Sequence, residues 1–139
     1  MPSRFSHVAL TVPPEQLVGV ARDELLEFYG QVFAWRENEY FAIPSERILI
    51  RAPTDTQYIT LRSSNAPMQT SGYEHLGIIV DSESELRSIH ARAAAMRSKF
   101  PDLELQPIES LYGDALLTFR LRFRLPLTLE IQHLRKTAQ

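Results

Sequence analysis

The 139-residue chain contains no cysteine. That absence excludes disulfides, thiolate metal ligands and a cysteine nucleophile. It fits a reducing compartment, and the expected location is the cytoplasm. No apolar run approaches the ~18–20 residues of a membrane span, so no membrane partner is expected. The opening MPSRFSHVALTVPPEQ has a short apolar stretch interrupted by two prolines. It makes a poor signal-peptide core and reads as the first strand of the fold. Charge of one sign is also missing. Fifteen Lys and Arg face seventeen Asp and Glu, for a net charge of −2. With no like-charge block and no low-complexity tract, nothing asks for nucleic acid or an anionic surface as partner. What is present suffices for one domain spanning 1–139. A chain of this size buries roughly 68–70% of its unfolded surface without staples.

The hydrophobic pattern has a clear order. Val8, Leu10 and Val12 alternate with His7, Ala9 and Thr11, the period of a half-buried strand that Pro13-Pro14 ends. A helix is predicted from about Glu15 to Trp35, with Leu25, Phe28 and Val32 on one face and Asp23 as N-cap of its stronger half. Strands are predicted at 39–43, 47–51 and 58–62, separated by Pro44-Ser45 and by Pro53-Thr54-Asp55. Ser63 to Gly72 is small and polar and reads as a linker. The order then restarts. His75 to Val80 is a strand candidate, and Ser82 with Glu85 forms an S-x-x-E cap ahead of a helix with Leu86, Ile89, Ala93 and Met96 on one face. Strands are predicted at 103–108, 115–124 and 127–134, with turns at Tyr112-Gly113-Asp114 and Pro126.

The chain thus reads β-α-β-β-β twice, an α+β fold of two βαβββ modules forming a curved mixed sheet around a cleft. Module one covers about 5–63, the linker 64–72 and module two about 73–134. HVALTVP aligns with HLGIIVD, ELLEFYGQVFAW with ELRSIHARAAAM, and YITLR with LTLEI.

His7 and His75 fall at the same position of the two first strands, on the less apolar face. Glu130 falls on the matching face of the last strand, with Thr128 and Gln132, opposite Leu129 and Ile131. Two imidazoles and a carboxylate suit Fe, Mn, Zn, Ni or Co as divalent ions and leave positions open for substrate. Each residue alone also has an ordinary reading, as a structural histidine or a solvated glutamate. The strand 115–125 alternates Leu117, Phe119, Leu121 and Phe123 with Thr118, Arg120, Arg122 and Arg124. Arg120 and Arg122 are candidates to hold an anionic substrate, or else line a solvated rim or a dimer contact. Tyr112, before Gly113, is a candidate hydrogen-bond donor near the cleft mouth, or simply a packed turn residue. Trp35 reads as core, and His90 and His133 read as structural.

These repeats, with His7, His75 and Glu130 set in HVALTV, EHLGIIV and LTLEIQ, resemble the vicinal oxygen chelate superfamily along nearly the whole chain. That group includes glyoxalase I, bleomycin-resistance proteins, extradiol dioxygenases, methylmalonyl-CoA epimerase and fosfomycin-resistance enzymes. The resemblance implies paired modules around a metal cleft, ligands at the positions of His7, His75 and Glu130, and a homodimer. Thr60 stands where glyoxalase I and the epimerase carry a fourth ligand, and Arg124-Leu125-Pro126-Leu127 replaces the usual hairpin before the last strand. Beside a structural or regulatory partner that keeps the fold and has lost the site, two functions remain open. One is a metal-dependent enzyme (dioxygenase, lyase or isomerase) acting on a small substrate through vicinal oxygens. The other is a metal-free protein that sequesters a small ligand.

Overall fold

In the computed structural model the described residues are 2–53 and 56–135. Thr54 and Asp55, from the expected Pro53-Thr54-Asp55 turn, lie outside them. The chain divides into two compact units, Met1–Gln69 and Thr70–Gln139.

The first unit carries β1 (His7–Val12), α1 (Gly19–Phe33), β2 (Arg36–Glu37), β3 (Arg47–Arg51) and β4 (Tyr58–Ser63). Its sheet runs β1-β4-β3-β2, with β1 parallel to β4 and the other pairs antiparallel. Leu10, Val12, Ile48, Ile50, Ile59 and Leu61 from the sheet are buried, as are Leu25, Phe28, Tyr29 and Val32 from the helix. The period-2 and period-3.6 patterns thus deliver their apolar faces to one core. Trp35 stacks on Phe33 with ring centroids 4.5 Å apart, which makes it a packing residue. Burial raises the Tyr29 hydroxyl far above its ordinary pKa.

Three local expectations are corrected here. The helical stretch is broken: Pro14–Leu17 forms a 3-10 turn, and the chain then passes through Gly19 at φ 57 into α1. Only glycine takes that left-handed step without strain. The N-cap is therefore Val18, without a side-chain hydrogen bond, and Asp23 lies inside the helix. Finally, Glu39–Phe41 is a 3-10 turn capped by Asn38, whose side chain accepts from the Tyr40 amide at 3.2 Å, and the strand falls earlier, at Arg36–Glu37.

The second unit carries β5 (His75–Ile79), α2 (Glu83–Ala95), β6 (Glu104–Leu105), β7 (Glu109–Leu111), β8 (Leu116–Arg122) and β9 (Thr128–Leu134). Its order is β5-β9-β8-β6, with β7 also on β8, and β5 is parallel to β9. Apart from the short β7, which the sequence pattern does not announce, this is the topology of the first unit again. Ser82 caps α2 as expected, accepting from the Glu85 amide at 3.1 Å. Leu86, Ile89 and Ala93 are buried, and α2 lies against β8 and β9. Leu117, Phe119, Leu121 and Phe123 are all buried, which sends their neighbours in β8 to the opposite face. The two mixed sheets with one long helix each make an α+β fold. No helix among the described residues is long and apolar enough to cross a membrane.

Candidate metal and anion site

Register places the candidate groups of the second unit. In the parallel pair, His75 is opposite Thr128 and Gly77 is opposite Glu130. In the antiparallel pair, Arg120 is opposite Glu130 and Thr118 is opposite Gln132. Because side chains alternate, His75, Gly77, Glu130, Gln132, Arg120 and Arg122 share one face. In the first unit Thr60 is opposite Ala9, two residues after His7. It therefore occupies the place that Glu130 occupies opposite Gly77, so the register agrees with the alignment of the two halves.

His75 and Glu130 come together. His75 Nε2 lies 3.7 Å from Glu130 Oε2, beyond hydrogen-bond range. His75 Nδ1 lies 2.8 Å from the Tyr73 carbonyl oxygen. A carbonyl only accepts, so Nδ1 carries a proton and donates it, and the tautomer this fixes is the one whose lone pair sits on Nε2. Two lone-pair donors thus face each other across a gap suited to a cation. A divalent ion bound to an imidazole nitrogen and a carboxylate oxygen brings these atoms to roughly 3–3.5 Å of one another. The observed gap is slightly wider, and the backbone bond at Nδ1 is the orienting contact that metal-binding histidines commonly make. The pair fits a metal ion.

Glu130 is buried, at 7% exposure, so its charge needs partners. Arg120 provides two: Nε donates to Oε2 at 2.9 Å and Nη2 lies 2.8 Å from the same oxygen. Gln132 Nε2 donates to Oε1. Glu130 and both arginines line a cleft of about 540 Å³, together with Thr118, Thr128 and Gln106. Arg122 differs from Arg120. Among the described residues it makes no ion pair, and its contact is a long 3.5 Å hydrogen bond to Thr70 Oγ1. Thr70 in turn donates to the Pro126 carbonyl at 2.6 Å.

The remaining candidates have local contacts of their own. His7, in the first unit, has Nδ1 2.6 Å from Ser6 Oγ and its ring stacked on Tyr58, its register partner, at 4.6 Å. Among the described residues no three His, Asp or Glu side chains already form a metal cage. Tyr112 is 80% exposed at a hairpin tip where it, Gly113 and Asp114 all take positive φ, and it does not line the cleft. His90 Nε2 bonds the Gln106 carbonyl at 3.0 Å and its ring meets the Phe119 ring edge-on, while His133 Nδ1 bonds the Val80 carbonyl at 3.1 Å. Both tie the unit together. Gln132, which sequence reasoning left without a role, holds the second oxygen of Glu130. Its signal was present in the i, i+2 spacing on one strand face.

No protein-family model matches the chain, and no curated protein matches its sequence. Solved structures do. FosX, a fosfomycin resistance protein from Listeria monocytogenes, in complex with Mn(II) and sulfate, matches with TM-score 0.68 and 16% identity over 97% of this chain and 93% of that one. Lactoylglutathione lyase from Agrobacterium tumefaciens matches at 0.66 and 15% over 95% and 94%. A glyoxalase/bleomycin resistance protein from Albidiferax ferrireducens T118 matches at 0.65 and 18% over 96% and 100%. At these identities the likeness is one of fold: the chain has the α+β fold of these glyoxalase/bleomycin-resistance and FosX structures.

Proposed function

We propose that this chain is a divalent-metal-dependent enzyme of the glyoxalase/dioxygenase type, acting on a small substrate chelated through vicinal oxygens. The observation that carries the reading is His75 Nε2 facing Glu130 Oε2 at 3.7 Å, with the ring oriented by Nδ1 on the Tyr73 carbonyl. His7, at the matching register of the first unit, is the proposed third ligand. Fold neighbours support the reading, since FosX from Listeria monocytogenes was crystallised with Mn(II) and sulfate, and a point mutant of it with Mn(II) and 1S,2S-dihydroxypropylphosphonic acid. Fe, Mn, Zn and Ni all suit two histidines and a carboxylate.

When bound, such an ion supplies Lewis-acid polarisation of substrate oxygens. The chain's own groups do the rest. Arg122, without an ion pair among the described residues, is the proposed anchor for an anionic substrate group. Arg120 lies beside it on the same face. Tyr112, exposed at its hairpin tip, is a proposed further donor. A homodimer is the proposed assembly, since the edge strands β1 and β5 each pair on one side within their own sheet. The test is elemental analysis of protein purified without chelator or histidine tag. About one metal per chain, lost in His75→Ala and in His7→Ala, is expected.

A second reading is favoured by the two filled oxygens of Glu130. With Arg120 on one and Gln132 on the other, the carboxylate is satisfied without metal. The cleft would then sequester an anionic ligand and do no chemistry. No metal after reconstitution would select this reading.

A further inference from the structure

We propose that Arg120 sets the metal affinity of this site, because its guanidinium is an internal cation that holds Glu130 Oε2 and competes for that oxygen with any divalent ion shared with His75. The inference rests on the reading of His75 and Glu130 as metal ligands and adds what competes for them. Arg120 does not spread its N–H groups over both carboxylate oxygens. Nε at 2.9 Å and Nη2 at 2.8 Å converge on Oε2. That is the same oxygen that His75 Nε2 faces at 3.7 Å. The other oxygen belongs to Gln132. The oxygen a shared cation would use is therefore one the guanidinium already holds, from the β8 side of β9 while His75 reaches it from the β5 side. With the Glu130 side chain only 10% exposed, solvent screens the two cations poorly from one another, so each weakens the other's hold on the carboxylate.

The competition is built into the backbone. Arg120 and Glu130 are direct cross-strand partners, and the flanking Phe119 and Leu121 are 2% and 1% exposed. A one-residue slip would turn those apolar side chains out of the core, so the pairing cannot shift. The long side chain, 37% exposed, can swing off the oxygen into the cleft that it lines. It cannot travel far. An ion at the site meets a guanidinium that first occupies its ligand and then repels it from nearby. The released guanidinium lies on the face of Arg122, where an anionic substrate group would hold it away from the carboxylate.

Mn(II) binding, followed by the electron paramagnetic resonance of free Mn(II), tests this on the full chain. Arg120→Met is expected to bind Mn(II) about tenfold more tightly than wild type, the scale of a charge-assisted hydrogen bond removed from the ligand. Arg120→Lys keeps a charge but loses the paired donors, and is expected to bind a few-fold more tightly. It reads the same direction if Arg120→Met fails to fold. In a Glu130→Gln background most of the gain from Arg120→Met should vanish, which separates competition for the carboxylate from a general change in the cleft. Wild type and both Arg120 variants binding Mn(II) equally would overturn this inference and leave the metal reading standing. Binding by none of them would overturn both.

Discussion

His75 and Glu130 meet without being cross-strand partners. His75 is opposite Thr128 and Glu130 is opposite Gly77, yet Nε2 comes to 3.7 Å of Oε2 along the diagonal between them. Gly77 shares their face, opposite Glu130, and with no side chain it leaves the space beside that diagonal open. The proposed ligand pair therefore depends on three positions, two that donate and one that stays empty.

The donors are tested by removal. His75→Ala and Glu130→Gln should each weaken metal retention by about tenfold or more, by direct loss of a ligand. Glu130→Gln should also lower stability by about 1 kcal/mol, because Arg120 loses its counter-charge. Metal content by elemental analysis and a thermal melt of the metal-free protein separate these two effects.

The empty position is tested by filling it. A Cβ added at Gly77 would meet Gln132 Oε1 at 3.8 Å, an ordinary contact. Gly77→Ala should fold and bind metal like wild type. Gly77→Leu should also fold, on a face that is not the core, but should lose metal by standing between His75 and Glu130. Comparable metal binding by both variants would show that the diagonal is not needed.

Ser82 gives a stability control away from the site. Its hydroxyl caps α2 by accepting from the Glu85 amide at 3.1 Å. Ser82→Ala should cost about 1 kcal/mol in chemical denaturation and leave metal content unchanged.

Asp102 and Arg124 make a pH-dependent tie. Arg124 sits at φ 55 with its guanidinium over the Phe123 ring at 4.6 Å, and donates to Asp102 through Nε at 2.9 Å and Nη2 at 3.3 Å. Those hydrogen bonds hold the Asp102 carboxyl below its ordinary pKa. The folded value is below the unfolded one, so the tie stabilises above the unfolded pKa and is lost as pH falls through the folded one. Half-exposed Asp102 keeps the effect small. Asp102→Asn should cost about 0.5 kcal/mol or less at neutral pH, a difference that fades as the pH falls below the ordinary aspartate range. Denaturation of both proteins across that range reads it.

Much of the fold was legible because it rests on local periodicity. The predicted strand 47–51 is β3 residue for residue, and the Ser82 cap forms as its spacing requires. The misses share a cause. Asp23 is a good cap residue by type, yet the chain turns into the helix earlier, where Gly19 takes a left-handed step. The strand predicted at 39–43 has the right residues, but the Asn38 side chain satisfies the Tyr40 amide locally and closes a 3-10 turn instead. β7 has only three residues, all exposed, and exists because β8 offers it an edge. No pattern in its own residues announces it.

For the site, alternation along single strands was enough to put His75, Glu130 and Arg120 on the less apolar faces. Period 2 is a property of the chain itself, and burying Phe119, Leu121, Leu129 and Ile131 forces their neighbours outward. Tertiary structure alone decided that Arg120 stands directly opposite Glu130, that two of its nitrogens reach one oxygen, that Gln132 takes the other, and that His75 comes to the same carboxylate from the far side. The reason is that alternation specifies a face, whereas which residues meet on that face depends on the register between strands far apart in sequence, and the packed core sets that register.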